Sequence, residues 1–95
     1  MTRARVIISG IVQGVGFRHF TQRKAEELGL RGWVRNTEDG GVETVLEGEK
    51  TRIQEMIKLC HKGPFGAKVE KVEVEWDEAT NEFKGFETRS GITDI

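Results

Sequence analysis

Tyrosine is absent from this chain, and cysteine and proline occur once each, as Cys60 and Pro64. A single cysteine excludes an intrachain disulfide and any multi-cysteine metal site, so metal carriage by paired thiols is not available. No apolar run approaches the ~20 residues that would cross a bilayer. Met1 to Arg5 leads straight into a short strand-like stretch, without the longer apolar region of a signal peptide. An excess of one charge is missing too. The 15 Lys and Arg stand against 16 acids for a net of −1, which leaves no overall footprint for nucleic acid or an anionic membrane. The default expectation is a cytoplasmic protein.

What is present suits one small α+β domain over residues 1–95, with 36% hydrophobic and 33% charged residues. The charges are unevenly spread. Residues 1–35 carry seven Lys and Arg against two acids, a net of +5, while the other sixty residues carry eight against fourteen, a net of −6.

Periodicity gives the elements. Arg5 to Val12 has apolar residues on both faces and reads as a central strand. His19 to Leu30 reads as a helix with Phe20, Ala25 and Leu28 toward the sheet and Gly29 as its stop. Arg31 to Asn36 and Val42 to Leu46 are strands joined through Asp39-Gly40-Gly41, a hairpin signal. Thr51 with Gln54 has the form of a capping box, and Ile53, Met56, Ile57 and Cys60 form the apolar stripe of a second helix, ended by Gly63-Pro64. Val72 to Trp76 alternates cleanly. Val69 is one step out of phase, which predicts a bulge or a late strand start near Glu70 and Lys71. Phe83 to Arg89 reads as a last strand with Phe83 and Phe86 on opposite faces, and Ser90 to Ile95 as a tail. The order strand, helix, strand, strand, helix, strand is the split βαβ plan: a ferredoxin-like sandwich, with an antiparallel sheet of four to five strands and two helices on one face.

One stretch carries chemistry. In Gly10-Ile11-Val12-Gln13-Gly14-Val15-Gly16-Phe17-Arg18 a glycine-containing turn joins a strand to a helix. Gly14 and Gly16 permit positive φ and close approach of a ligand to the backbone. A helix N-terminus presents unpaired N–H groups and partial positive charge, and Arg18 adds a planar fork suited to two oxygens of a phosphate. The turn lacks the Gly-Lys-Ser/Thr of a Walker loop, and His19 stands where a dinucleotide fingerprint needs its third glycine. By spacing alone, a plain structural turn and an anion cradle both remain open.

This stretch, followed by Gly32-Trp33-Val34-Arg35-Asn36 and Gly41-Val42-Glu43, resembles the acylphosphatase family, and Lys62-Gly63-Pro64 with Ala67 and Val69 resembles its later landmark. The likeness runs from Arg5 to about Phe86. It implies a monomer that needs no cofactor or metal and hydrolyses the carboxyl-phosphate bond of a small-molecule acyl phosphate, with inorganic phosphate as product and inhibitor. By the resemblance, Arg18 binds the phosphoryl group together with Gly14, Val15, Gly16 and Phe17, and Asn36 positions the attacking water. Family members often finish the last strand with an aromatic residue close to the C-terminus, whereas this chain runs Glu87-Thr88-Arg89-Ser90-Gly91 and continues to Ile95. A second reading is a non-catalytic module that binds acyl or carbamoyl phosphates, like the acylphosphatase-like domains of hydrogenase-maturation carbamoyltransferases. The end of the chain at 95 residues favours the free-standing enzyme.

Other residues have ordinary readings. His19 is expected as a first-turn helix residue turned aside, and His61 as a partner of a helix C-terminus. Cys60 is expected to be buried and inert, and Trp33 and Trp76 to pack on the sheet. Glu43, Glu47, Glu73 and Glu75 are expected on a solvated sheet face. An RNA-binding surface would need exposed aromatics and a basic face on the central strands, and Val42 to Leu46 offers neither.

Overall fold

A computed structural model describes residues 1–90; the tail residues 91–95 lie outside the described residues. The chain runs β1 (Thr2–Ile11), α1 (Phe17–Glu27), β2 (Arg31–Asn36), β3 (Val42–Gly48), α2 (Lys50–Lys62), β4 (Lys68–Glu78) and β5 (Phe86–Thr88). The strands form one sheet in the order β4-β1-β3-β2-β5. Every neighbour pair is antiparallel except β2 and β5, so the expected antiparallel sheet is in fact mixed. The cause is topological. β4 ends beside Thr2, at the end of the sheet where β2 begins, so a chain crossing to the far edge must start up alongside β2 in the same direction. The last strand is also three residues long where seven were expected, and Phe83 falls outside it, with the Arg3 guanidinium over its ring.

One parity of each strand supplies the core. Ala4, Val6 and Ile8 of β1 stand opposite Leu46, Thr44 and Val42 of β3, and all six are fully buried beneath the helices. α1 turns Phe17, Thr21 and Ala25 inward, with Phe20 and Leu28 only half-buried at the margin. The helix begins two residues earlier than its periodicity suggests, because Gly16 takes φ 79° and turns the chain directly into it. It ends at Glu27, three residues short of the expected Leu30, with Gly29 as the stop: the Gly29 and Leu30 N–H groups donate to the Glu26 and Ala25 carbonyls in a Schellman arrangement. In α2, Ile53, Met56 and Cys60 are buried, and burial pushes the Cys60 thiol up to about 12. The capping box is not formed. The helix starts at Lys50, Glu49 supplies the first carbonyl, and Thr51 lies exposed in the first turn.

The phase slip near Glu70 is a bulge: Ser9 pairs Lys71 and Gly10 pairs Val69, leaving Glu70 unmatched. The second parity corrects the solvated-face expectation. Glu73 and Glu75 are exposed, but Glu43 and Glu47 are only 3% and 4% exposed. The Glu43 carboxylate is clamped between the Arg5 and Arg35 guanidiniums, the latter 2.7 Å away. Glu47 accepts from the Thr80 N–H and hydroxyl and from the Asn81 N–H, and so holds the segment that crosses toward β5. Burial alone would push both carboxyls up. The two guanidiniums at Glu43, and the amides and hydroxyl at Glu47, outweigh it and hold both below the usual range.

A carboxyl lowered in the folded state contributes stability that is complete above its unfolded pKa of about 4.3, and that is lost as pH falls through the lower folded value. Glu43→Gln is therefore expected to cost about 1–3 kcal/mol at neutral pH, less than a fully buried pair because both arginines are partly in water. It should also flatten the loss of stability below pH about 4.3; urea unfolding at several pH values checks both. Gly32 has φ 137°, and an added Cβ would lie 1.8 Å from the Val45 carbonyl oxygen. Gly32→Ala should cost about 3 kcal/mol or more, whereas Gly85→Ala, where the added Cβ meets open space, should stay within about 0.5 kcal/mol.

Candidate active site

The carboxyl ends of β1, β2 and β5 and the N-terminus of α1 meet at one end of the sheet. Between them lies a cavity of about 360 Å³ lined by Gly14, Gly16, Phe17, Arg18 and Asn36, and by Val12, His19, Gln22 and Thr88. Arg18 and Asn36, eighteen positions apart in the sequence, therefore share one pocket. Strand parity explains why. Asn36 pairs Val42, which is on the buried face, so its side chain emerges on the helix side of the sheet, where α1 begins. Four of the five residues expected to cradle the phosphoryl group line this cavity. Val15 does not; its side chain is half-buried against the core and lies next to Gly66. His19, expected to be turned aside, is exposed and borders the cavity.

The loop is built to leave donors open. Gly14 and Gly16 have φ 76° and 79°, and an added Cβ at either would meet no atom within 4 Å. Gly16 caps α1 with no side-chain hydrogen bond, and no acid occupies the first turn. Among the described residues the N–H groups of residues 14–18 find no protein acceptor; the first helical bond is from Phe20 to the Gly16 carbonyl at 3.0 Å. Amides left open at a helix terminus are the kind of arrangement that can accept a small anion.

Arg18 is oriented but not neutralised. Its Nη1 donates to the Arg89 carbonyl at 2.8 Å, and among the described residues no carboxylate lies within ion-pair distance of it. Arg3, Arg5, Arg35 and Arg89, by contrast, each pair with a glutamate. The Arg89 N–H donates to the Val34 carbonyl, and its guanidinium lies over Trp33, 4.6 Å from the ring centroid. The end of the last strand is thus in contact with the pocket even though the terminal aromatic of the family pattern is missing.

Residues whose part the sequence did not reveal complete the site. Gln13 Nε2 donates to the Thr37 and Gly41 carbonyls, both at 2.8 Å, and so ties the loop to the turn that follows Asn36. Gln22 and Thr88 bond each other on the far wall. Gln13 stood inside the quoted motif, but nothing in its spacing gave its partners; Gln22 and Thr88 carried no signal at all.

The acylphosphatase family model matches residues 4–88. An acylphosphatase of Roseiflexus sp. (strain RS-1) is 52% identical over 86 residues, covering 90% of this chain and 92% of its own. Among solved structures, the acylphosphatase from Bacillus subtilis superimposes with a TM-score of 0.90 at 35% identity, over 93% of this chain and 98% of that one. Full-length HypF in its phosphate- and nucleotide-bound form is similar over 96% of this chain but only 12% of its own, with a TM-score of 0.85 at 33% identity. The family model's span and these identities agree with the two motifs that meet in the pocket: the chain belongs to the acylphosphatase family.

Proposed function

We propose that this protein is an acylphosphatase that hydrolyses the carboxyl-phosphate bond of small acyl phosphates to a carboxylate and inorganic phosphate. The observation that carries the reading is that Gly14, Gly16, Phe17, Arg18 and Asn36 line one cavity, beside a loop whose amides have no acceptor among the described residues, in a chain of this family. Arg18 and the loop amides bind the phosphoryl oxygens and stabilise the charge that develops on them during transfer. The Asn36 carboxamide accepts from a water and donates to it, and so aims it at phosphorus opposite the leaving oxygen. The leaving carboxylate has a conjugate acid of pKa ~4 and departs without a proton, so no general acid is required. The water's proton passes to the phosphoryl group itself. Inorganic phosphate, as the product, occupies the same cradle and inhibits. The proposal includes a monomer acting in the cytoplasm.

The second reading, a module that binds an acyl or carbamoyl phosphate without turning it over, draws on the likeness to a 12% segment of HypF. It uses the same cradle, and turnover separates the two. With benzoyl phosphate and no added metal, the wild-type protein is expected to release phosphate. Arg18→Gln should lower turnover by roughly 10³-fold or more. Asn36→Ala should lower it by about 10²-fold while leaving inhibition by phosphate in place. Turnover near the wild-type rate in either variant would remove that residue from the mechanism, and activity abolished by EDTA would replace it with a metal-dependent one.

A further inference from the structure

We infer that Gln22 and Thr88 form a hydrogen-bonding wall for the acyl group, which selects short acyl phosphates carrying a hydroxyl beside the mixed anhydride. The inference rests on the acyl phosphate reading above. Gln22 follows Arg18 by four residues, so it lies on the same face of α1, about 6 Å further along the axis from the residue that grips phosphate. Thr88 pairs Val34 of β2, which places it on the helix side of the sheet, and both side chains line the cavity.

Their hydrogen bonds fix which atoms face the substrate. The Phe86 carbonyl can only accept, so the Gln22 amide nitrogen turns to it, at 3.4 Å. Oε1 then faces Thr88, whose hydroxyl donates to it at 2.6 Å. That leaves one Gln22 amide hydrogen and the lone pairs of the Thr88 oxygen without a protein partner among the described residues. A donor and an acceptor side by side match a hydroxyl, which both accepts and donates. Among the described residues no carboxylate lines this cavity, so a polar acyl group meets no repelling charge from them. An alkyl or aryl acyl group pressed against the same wall covers these atoms without replacing their water, which is the basis on which hydrogen-bonding sites discriminate.

Glycoloyl phosphate and propionyl phosphate differ by a hydroxyl in place of a methyl and suit the test. Their kcat/KM values are measured with wild type, Gln22→Leu and Thr88→Val. The intrinsic difference between the two leaving groups is common to all three proteins and cancels when their preferences are compared. The preference for glycoloyl phosphate is expected to fall about fivefold in Gln22→Leu, the scale of one neutral hydrogen bond, and at least about twofold in Thr88→Val. Thermal unfolding identifies the folded variants. If Gln22→Leu does not fold, Thr88→Val, which keeps the side-chain shape, decides. A preference unchanged in the folded variants while both substrates are turned over overturns the wall and leaves the activity standing. Release of phosphate from neither substrate by wild type overturns the acyl phosphate reading, and the wall with it.

Discussion

The two halves of the site are held together by one carboxamide. Gln13 spends both amide hydrogens on the carbonyls of Thr37 and Gly41, and those carbonyls belong to the turn that begins immediately after Asn36. The turn is itself closed by the Thr37 N–H to the Gly41 carbonyl at 2.9 Å, and by the Gly41 N–H to the Thr37 hydroxyl at 2.9 Å. The loop on the other side has no such internal bracing. Residues 14–16 lie between a strand and a helix, two of them are glycines at positive φ, and among the described residues their amides have no protein acceptor. A cradle of that kind is receptive to an anion because it is unsatisfied, and for the same reason it does not fix its own distance from β2. Gln13 fixes it. Chemistry that works mainly by positioning is sensitive to displacements of this sort, since an error of about 1 Å can cost 10²-fold in rate.

Electrostatics on the far face of the sheet serve the same end. Arg5 and Arg35 share Glu43, and Arg3 meets Glu47, so three cations of the central strands are matched by buried acids. Arg35 immediately precedes Asn36, and its salt bridge is made on the face opposite the cavity. The strand end that carries Asn36 is anchored from below by this pair, and the charge of Arg35 is taken up there. Arg18 then stands apart as a cation oriented by a neutral carbonyl. A carboxylate partner would have held it as firmly, but would have cancelled the charge that an anion needs and added a repulsion of its own.

How much of this was legible beforehand follows from what periodicity can report. Alternation gave each strand its two faces, and the break in phase at Val69 pointed to a bulge or a late strand start near Glu70 and Lys71, of which the structure has the bulge, at Glu70. It could not say whether a face is covered. Glu43 and Glu47 alternate with apolar residues as exposed acids do, and they are buried only because arginines from two other strands and the amides of Thr80 and Asn81 close over them. Arg18 and Asn36 were legible through a resemblance of motifs, since no local pattern carries the information that positions 18 and 36 meet. The capping box failed for a related reason. Thr51 and Gln54 have the right spacing, but the chain leaves β3 at Gly48 and is helical by Lys50, one residue before the expected cap.

The shortest element shows how stability and site are joined. Three residues are too few to persist as an edge strand unaided, yet Phe86 is buried and β5 keeps its place beside β2. It is pinned from α1 by Gln22 at Phe86 and Thr88, and from the cavity by Arg18 at the Arg89 carbonyl. Arg18 thus divides its five N–H donors: one holds the end of the sheet, and the other four have no protein acceptor among the described residues. Two parallel bonds to a phosphate need only two of these, so the structural bond does not compete with a bidentate grip. It improves it, because a guanidinium already held along one edge loses less rotamer freedom when an anion arrives. The strand end that the sequence marks least clearly is therefore what holds the most clearly marked side chain in place.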